Sequence, residues 1–112
     1  MDIGFMSLGD HLPDANTGEQ ISQGRRINDI IDTGVEAEGL GFDVMAVGEH
    51  HFNDYIVSSP FPVLAAVAAR TTRMRLTTAV TLLPMLDPLR VAEDFATVDQ
   101  ISEGRMEIVL GR

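Results

Sequence analysis

The chain has 112 residues, 45% of them hydrophobic, with 17 acidic and 8 basic side chains and a net charge of −9, which suffices for one globular core and is short for two. All the basic residues are arginines, scattered from Arg25 to Arg112, so the clustered positive patch that tracks a phosphate backbone is missing and nucleic acid is not an expected partner. The acidic balance disfavours an anionic membrane surface, no apolar run approaches the roughly 20 residues that span a bilayer, Met1-Asp2 opens no secretory leader, and the lack of cysteine removes disulfides and thiolate chemistry; a soluble, cytoplasmic protein is expected.

Residues 3–8 (Ile-Gly-Phe-Met-Ser-Leu) form a short apolar run that stops at Gly9-Asp10, and Pro13, Asn16 and Gly18 make the next stretch a loop. From about Ser22 the period changes: Ile27, Ile30, Ile31 and Val35 recur at helical spacing until Gly39 and Gly41 close an amphipathic helix. Residues 42–48 (Phe-Asp-Val-Met-Ala-Val-Gly) read as a second strand leading into Glu49-His50-His51. Ser59 then stands where an N-cap would be, with Pro60 at the first helical position, ahead of the apolar run from Val63 to Ala69. A helix apolar nearly all round needs cover on two sides, expected to be its own sheet and a second subunit. Residues 75–83 (Arg-Leu-Thr-Thr-Ala-Val-Thr-Leu-Leu) are rich in β-branched side chains and end at Pro84, a third strand. Asp87-Pro88 repeats the cap-and-proline device before a helix with Val91, Ala92, Phe95, Val98 and Ile101 on its apolar stripe, ending at Gly104, and residues 106–110 make a fourth strand.

The order βαβαβαβ implies an α/β fold with parallel strands joined by right-handed crossovers. No Gly-rich phosphate fingerprint follows the first strand, where Leu8-Gly9-Asp10-His11-Leu12-Pro13 stands instead, so a dinucleotide-binding unit is poorly supported. The other home for this alternation is a (β/α)8 TIM barrel, which takes about 250 residues. Residues 1–112 are therefore expected to be one incomplete domain, the N-terminal half of such a barrel. An open sheet with strand order 2-1-3-4 would instead mark an unrelated α/β domain.

In parallel α/β architectures the functional face lies at the C-terminal ends of the strands. Glu49-His50-His51 sits there and admits three readings. A metal site is disfavoured, because neighbours on an extended segment point to opposite faces and His50 and His51 cannot easily share an ion; no metal is expected. A histidine and a carboxylate can instead order the loop by bonding each other, or His50 can face the pocket as a neutral imidazole able to move a proton near pH 7. Strand parity then places Gly48, Ala46 and Val44 on the side of His50, with Met45 and Val47 toward the helices. By the same parity Gly111 shares a side with Val109 and Glu107, a carboxylate that would need a partner. Thr77 to Thr81 is either a strand packed under a helix or a floor of small side chains against which a flat ligand lies at Ala79. Arg112 is either a phosphate-binding guanidinium or a solvated terminus.

Glu-Gly-Leu-Gly-Phe-Asp (38–43), Gly-Glu-His-His-Phe (48–52), Thr-Ala-Val-Thr-Leu-Leu-Pro (78–84), Asp-Pro-Leu-Arg-Val-Ala-Glu-Asp (87–94) and Asp-Gln-Ile-Ser-Glu-Gly-Arg (99–105), in this order and spacing, resemble the N-terminal half of the bacterial luciferase-like monooxygenases. These are flavin- or deazaflavin-dependent (β/α)8 barrel enzymes. The resemblance implies that His50 is a catalytic proton-transfer group beside the flavin. It implies that the Ala79-Val80 bond is a non-proline cis peptide forming a bulge behind the isoalloxazine ring, and that Gly111 and Arg112 contribute to cofactor binding, Arg112 at the flavin phosphate. The implied cofactors are FMN, reduced by a separate flavin reductase, or the deazaflavin F420, with a small organic molecule as substrate and a homodimer or a complementary half-barrel as protein partner. Asp87 stands where the luciferases carry a histidine and Gly111 where they carry a cysteine, so light emission is not the expected activity. The alternative function is a non-catalytic half-barrel that dimerises or pairs with a complementary half through its exposed strand edges.

Overall fold

The computed structural model describes residues 1–52 and 54–112. Its elements are β1 (Gly4–Ser7), α1 (Gln23–Gly39), β2 (Val44–Val47), α2 (Pro60–Ala68), β3 (Arg75–Thr78), β4 (Thr81–Leu82), a 3-10 turn (Leu83–Met85), α3 (Pro88–Ile101), β5 (Met106–Glu107) and β6 (Leu110–Gly111). The strands β1, β2, β3 and β5 form a parallel sheet in that order, and β4 pairs with β6 in a second, two-stranded sheet. The sequential order is that of a barrel wall and not the 2-1-3-4 order of an unrelated open sheet. Two expected strands are each broken in two. The run 75–83 is interrupted at Ala79-Val80, and the run 106–110 at Ile108-Val109 with its second piece reaching Gly111. Among the described residues no helix is long and apolar enough to cross a membrane.

The helices follow their caps and their period. The Ser22 hydroxyl accepts the Arg25 N–H at 3.2 Å and opens α1. The buried line of α1 runs through Ile30, Gly34 and Ala37, so small residues replace Val35 of the expected stripe where the helix comes closest. A Cβ on Gly34 would lie 2.6 Å from Met45 Sδ and 3.1 Å from Val67 Cγ1. Asp87 caps α3 by accepting the N–H groups of Leu89 at 2.8 Å and Arg90 at 3.2 Å, whereas Ser59, at the cap position of α2, makes no capping bond with its side chain. The apolar α2 packs on β3 and β2 and is flanked by α1 and α3. Neighbouring helices of the same chain thus cover its flanks.

Sheet parity divides the side chains. Phe5, Met45, Leu76 and Met106 lie in one register row beneath the helices, and Met45, Leu76 and Val47 are fully buried with Leu64, Val67 and Met74, each contributing about 1.5–3 kcal/mol of apolar burial. The opposite face carries the row Met6, Ala46, Thr77 and Glu107. There Glu107 finds the partner it needs: its Oε1 accepts from Arg75 Nη1 at 2.8 Å, and Arg75 also pairs with Asp2.

The N-terminal edge of the sheet is held by two saturated polar groups. Arg105, which precedes β5, donates to the carbonyls of Ala68 (3.0 Å), Thr71 (2.9 Å), Met74 (2.7 Å) and Ser102 (2.7 Å) and to Thr71 Oγ1 (3.0 Å). It therefore closes the C-terminal ends of α2 and α3 together, where carbonyls lack helical partners. The Glu38 carboxylate accepts the backbone N–H groups of Thr72 (2.9 Å), Arg73 (2.8 Å) and Met74 (2.7 Å). Burial pushes its pKa up, but these N–H groups and the charge of Arg105 outweigh it, and the carboxyl is held below the ordinary glutamate range.

Candidate functional site at the C-terminal strand ends

The breaks in the two strands face each other at the C-terminal edge of the sheet. Here the Ala79-Val80 peptide bond is cis. The Ala79 N–H still bonds the Val47 carbonyl at 2.8 Å and the Thr81 N–H reaches the Val109 carbonyl at 2.8 Å, so the backbone is paired on both sides of the step. The fully buried Thr78 fills the gap in the ladder. Its hydroxyl donates to the Val109 carbonyl at 3.2 Å and accepts the Val109 N–H at 3.2 Å and the Thr81 hydroxyl at 3.0 Å. A β-bulge of this kind re-aims side chains next to functional sites. Val80 is one of them: a Cβ on Gly111 would lie 2.2 Å from Val80 Cγ2. The isopropyl group occupies the space a side chain at 111 would need, and glycine there is a steric requirement of the bulge.

His50 lies beyond the end of β2. Its Nε2 is buried and has no hydrogen-bond partner among the described residues. The ring stacks on Tyr55 with centroids 4.5 Å apart and planes at 27°, and Nε2 comes within 3.1 Å of where a Cβ on Gly48 would stand. Gly48 thus lets the imidazole fold back over the strand on the face shared with Ala46. Of the neighbouring pair, it is His51 that meets the carboxylate: His51 Nε2 lies 2.8 Å from Glu49 Oε1. The reading in which a histidine and a carboxylate order the loop is thus met by one pair. His51 and Glu49 order the loop, and His50 keeps a ring nitrogen uncommitted, a group that can take or give a proton to a ligand.

Of the residues singled out in the sequence, Val80 and Gly111 are in contact, and Ala79, Val80, Gly111 and His50 all belong to the C-terminal edge. Arg112 is exposed and makes no ion pair among the described residues. With Leu83, Pro84, Leu110 and Gly111 it lines an open hollow of about 460 Å³. Sequence reasoning gave Thr78 and Gly48 no individual role, Thr78 appearing only within the Thr77 to Thr81 floor and Gly48 only in the parity row of His50. The glycine ending the second strand was a signal for a close approach, whereas the Thr78 hydroxyl has no local sequence mark.

Comparison with known proteins agrees with this geometry. The family model described as luciferase-like monooxygenase matches residues 1–112. The alkanal monooxygenase alpha chain of the Kryptophanaron alfredi symbiont is 31% identical over 94 residues, 83% of this chain and 26% of that protein. Limonene 1,2-monooxygenase of Rhodococcus erythropolis is 34% identical over 107 residues, 95% of this chain and 26% of that protein. Among solved structures, monooxygenase RslO1 from Streptomyces bottropensis superposes with a TM-score of 0.86 at 33% identity, covering 100% of this chain and 33% of that one. The oxygenating constituent of 3,6-diketocamphane monooxygenase of Pseudomonas putida, solved in complex with FMN, gives 0.84 at 25% identity, covering 99% and 29%. The coenzyme F420 dependent tetrahydromethanopterin reductase of Methanopyrus kandleri gives 0.69 at 27%, covering 98% and 26%. The chain thus spans about a quarter to a third of the length of these relatives, with an α/β fold whose parallel sheet matches part of their TIM barrels. The chain belongs to the luciferase-like monooxygenase family.

Proposed function

We propose that this chain supplies one wall of the active site of a flavin- or deazaflavin-dependent oxidoreductase that oxidises a small organic substrate. The observation that carries the reading is the buried His50 Nε2 without a partner among the described residues, at the edge of the sheet where such folds do their chemistry. The residues fit FMN or F420: a free ring nitrogen for a polar edge of the cofactor, the small side chain of Ala79 at the bulge against which a flat ring can rest, and Arg112 for its phosphate. The bound cofactor supplies the redox chemistry, hydride transfer or oxygen insertion. His50 holds or moves a proton at Nε2, and its stack on Tyr55 keeps the ring oriented. Val80, packed over Gly111, gives the bulge a fixed shape, so the floor is preformed before any ligand arrives.

A protein partner completes the reading. The sheet face away from the helices and the strand ends expose Met6 (54%), Val109 (47%) and Leu110 (53%), apolar surface suited to a second copy or to a complementary half-barrel. The reduced flavin would come from a separate reductase, and the setting would be cytoplasmic. The test is a fluorescence titration with oxidised and reduced FMN and with F420, with and without a complementary C-terminal half, alongside light scattering. Saturable binding that His50→Phe weakens is expected. Failure of all the cofactors to bind even with the complementary half supplied would overturn the reading.

A further inference from the structure

The two side chains that flank His50 are committed to each other. Glu49 has a side chain only 1% exposed. Its Oε1 accepts from His51 Nε2 at 2.8 Å and its Oε2 accepts the Leu82 N–H at 3.1 Å. A buried carboxylate is costly unless its oxygens are bonded, and these are the bonds that keep it there. Glu49 points to the helix side, into a cavity of about 120 Å³ shared with Ser59 and Pro60 of the α2 entry and Asp87, Arg90 and Val91 of the α3 entry. The His50 ring lies on the other side, over Gly48. Side chains of consecutive residues in extended backbone face opposite ways, so pinning residues 49 and 51 to each other fixes the direction of residue 50. Leu82 is the second residue of β4, just past the Ala79-Val80 step. One carboxylate therefore ties the histidine segment to the bulge segment.

We propose that Glu49 is a positioning residue: through His51 and the Leu82 N–H it aims the His50 imidazole into the barrel face and holds it in register with the Ala79-Val80 bulge. The proposal rests on the reading of His50 as the proton-transfer group, since only then does its aim matter to chemistry. Glu49 bonds His51 and the Leu82 N–H on the helix side, not the His50 ring; it acts at one remove, as supporting groups do around a preorganised site.

The experiment uses this chain with isotope-labelled histidine, in which the three imidazoles give separate ring signals by NMR. In the wild type the His50 Hε1 signal is displaced from the free-histidine position by its stack on Tyr55. In Glu49→Ala it is expected to move most of the way to the free-histidine position while the methyl signals of Leu76 and Val67 stay in place. A folded Glu49→Ala chain with an unmoved His50 signal would overturn the proposal, because a merely structural carboxylate would lower stability and leave that ring alone. If Glu49→Ala does not fold, His51→Ala decides: it leaves the Leu82 bond intact, and it is expected to shift the His50 signal, with an unmoved signal again overturning the proposal. An FMN and F420 titration on the same samples with the complementary C-terminal half supplied separates the two ideas, since a wild type that binds neither cofactor even then sinks the proposed function while the ring shift still reports on the positioning.

Discussion

The two edges of the sheet are built on opposite rules. At the N-terminal edge two charged groups are saturated: Arg105 closes four carbonyls and a hydroxyl, and Glu38 takes three backbone N–H groups. At the C-terminal edge the strands break, one peptide bond is cis, two glycines stand where a Cβ would meet His50 or Val80, and a buried imidazole nitrogen has no partner among the described residues. The difference teaches where the motifs of this chain belong. Glu-Gly-Leu-Gly-Phe-Asp and Ser-Glu-Gly-Arg supply the bonds that hold one edge; Gly-Glu-His-His and Thr-Ala-Val-Thr lie at the other, and on the proposed function they are the site, in keeping with the division of labour in barrels.

If that contrast is right, the largest loss of stability comes from Arg105. Arg105→Ala strips the partners from a set of inward-facing carbonyls at once, and urea unfolding is expected to show a loss of about 3–5 kcal/mol. Arg105→Lys should recover only part of it, since an ammonium cannot reproduce the planar fork that reaches Ala68, Thr71 and Met74 together. A loss below about 1 kcal/mol would mean that the edge is held by packing alone.

Gly111→Ala probes the other edge by steric conflict. A methyl group 2.2 Å from Val80 Cγ2 must displace the bulge, at a cost of about 1–3 kcal/mol. Val80→Ala in the same chain should relieve most of that cost, so a double-mutant cycle is expected to show strong coupling. Additive effects would show that the bulge yields freely and is not a preformed floor.

How much of this contrast was legible in the sequence follows from the range of the interactions. Helices are local: the change of period at about Ser22 and the Asp87-Pro88 cap with its apolar stripe placed the starts of α1 and α3. The order of the strands followed from alternation. No residue at Ala79-Val80 punctuates the break, because Thr77 to Leu83 is an unbroken β-branched and apolar run and the partner that splits it, Val109, lies 31 residues away; the family resemblance alone placed a cis bond and bulge there, as the structure has it. Arg105 was visible only as the end of a motif, since its carbonyl partners Met74, Thr71 and Ala68 stand 31 to 37 positions earlier. At the site, parity correctly put Met45 and Val47 toward the helices, and the chemistry of Glu-His-His left open which histidine the carboxylate takes. That choice falls to His51 because Glu49 is also held by Leu82 on the helix side.

A smaller effect comes from pH at the N-terminal edge. Glu38 is held below the ordinary glutamate range when folded, so its contribution to stability is fully present above the unfolded-state pKa of about 4.3 and is lost as pH falls through the lower folded value. Glu38→Gln keeps the shape but not the charge, and it is expected to flatten the acid limb of a plot of urea midpoint against pH. Asp43, lowered by the Ile3 N–H against burial and with help from Arg73, shares that limb and keeps some slope in the variant. An unchanged slope would remove Glu38 from the account of this edge.

The smallest effect on stability, and the one that best separates the two edges, is expected at His50. A residue placed for stability would lose free energy on replacement; a residue whose buried nitrogen has no partner among the described residues has little to lose. His50→Phe keeps an aromatic ring against Tyr55 and replaces the unpartnered Nε2 with an apolar edge, which removes a desolvation cost as it adds a small steric one. The change in unfolding free energy is expected to stay within about 0.5 kcal/mol of zero, with either sign allowed. The same variant should remove the proton-transfer group altogether. A loss comparable to that of Arg105→Ala would place His50 among the stability devices and erase the distinction between the edges; a silent thermogram with weakened cofactor binding would make it the clearest mark of function in the chain.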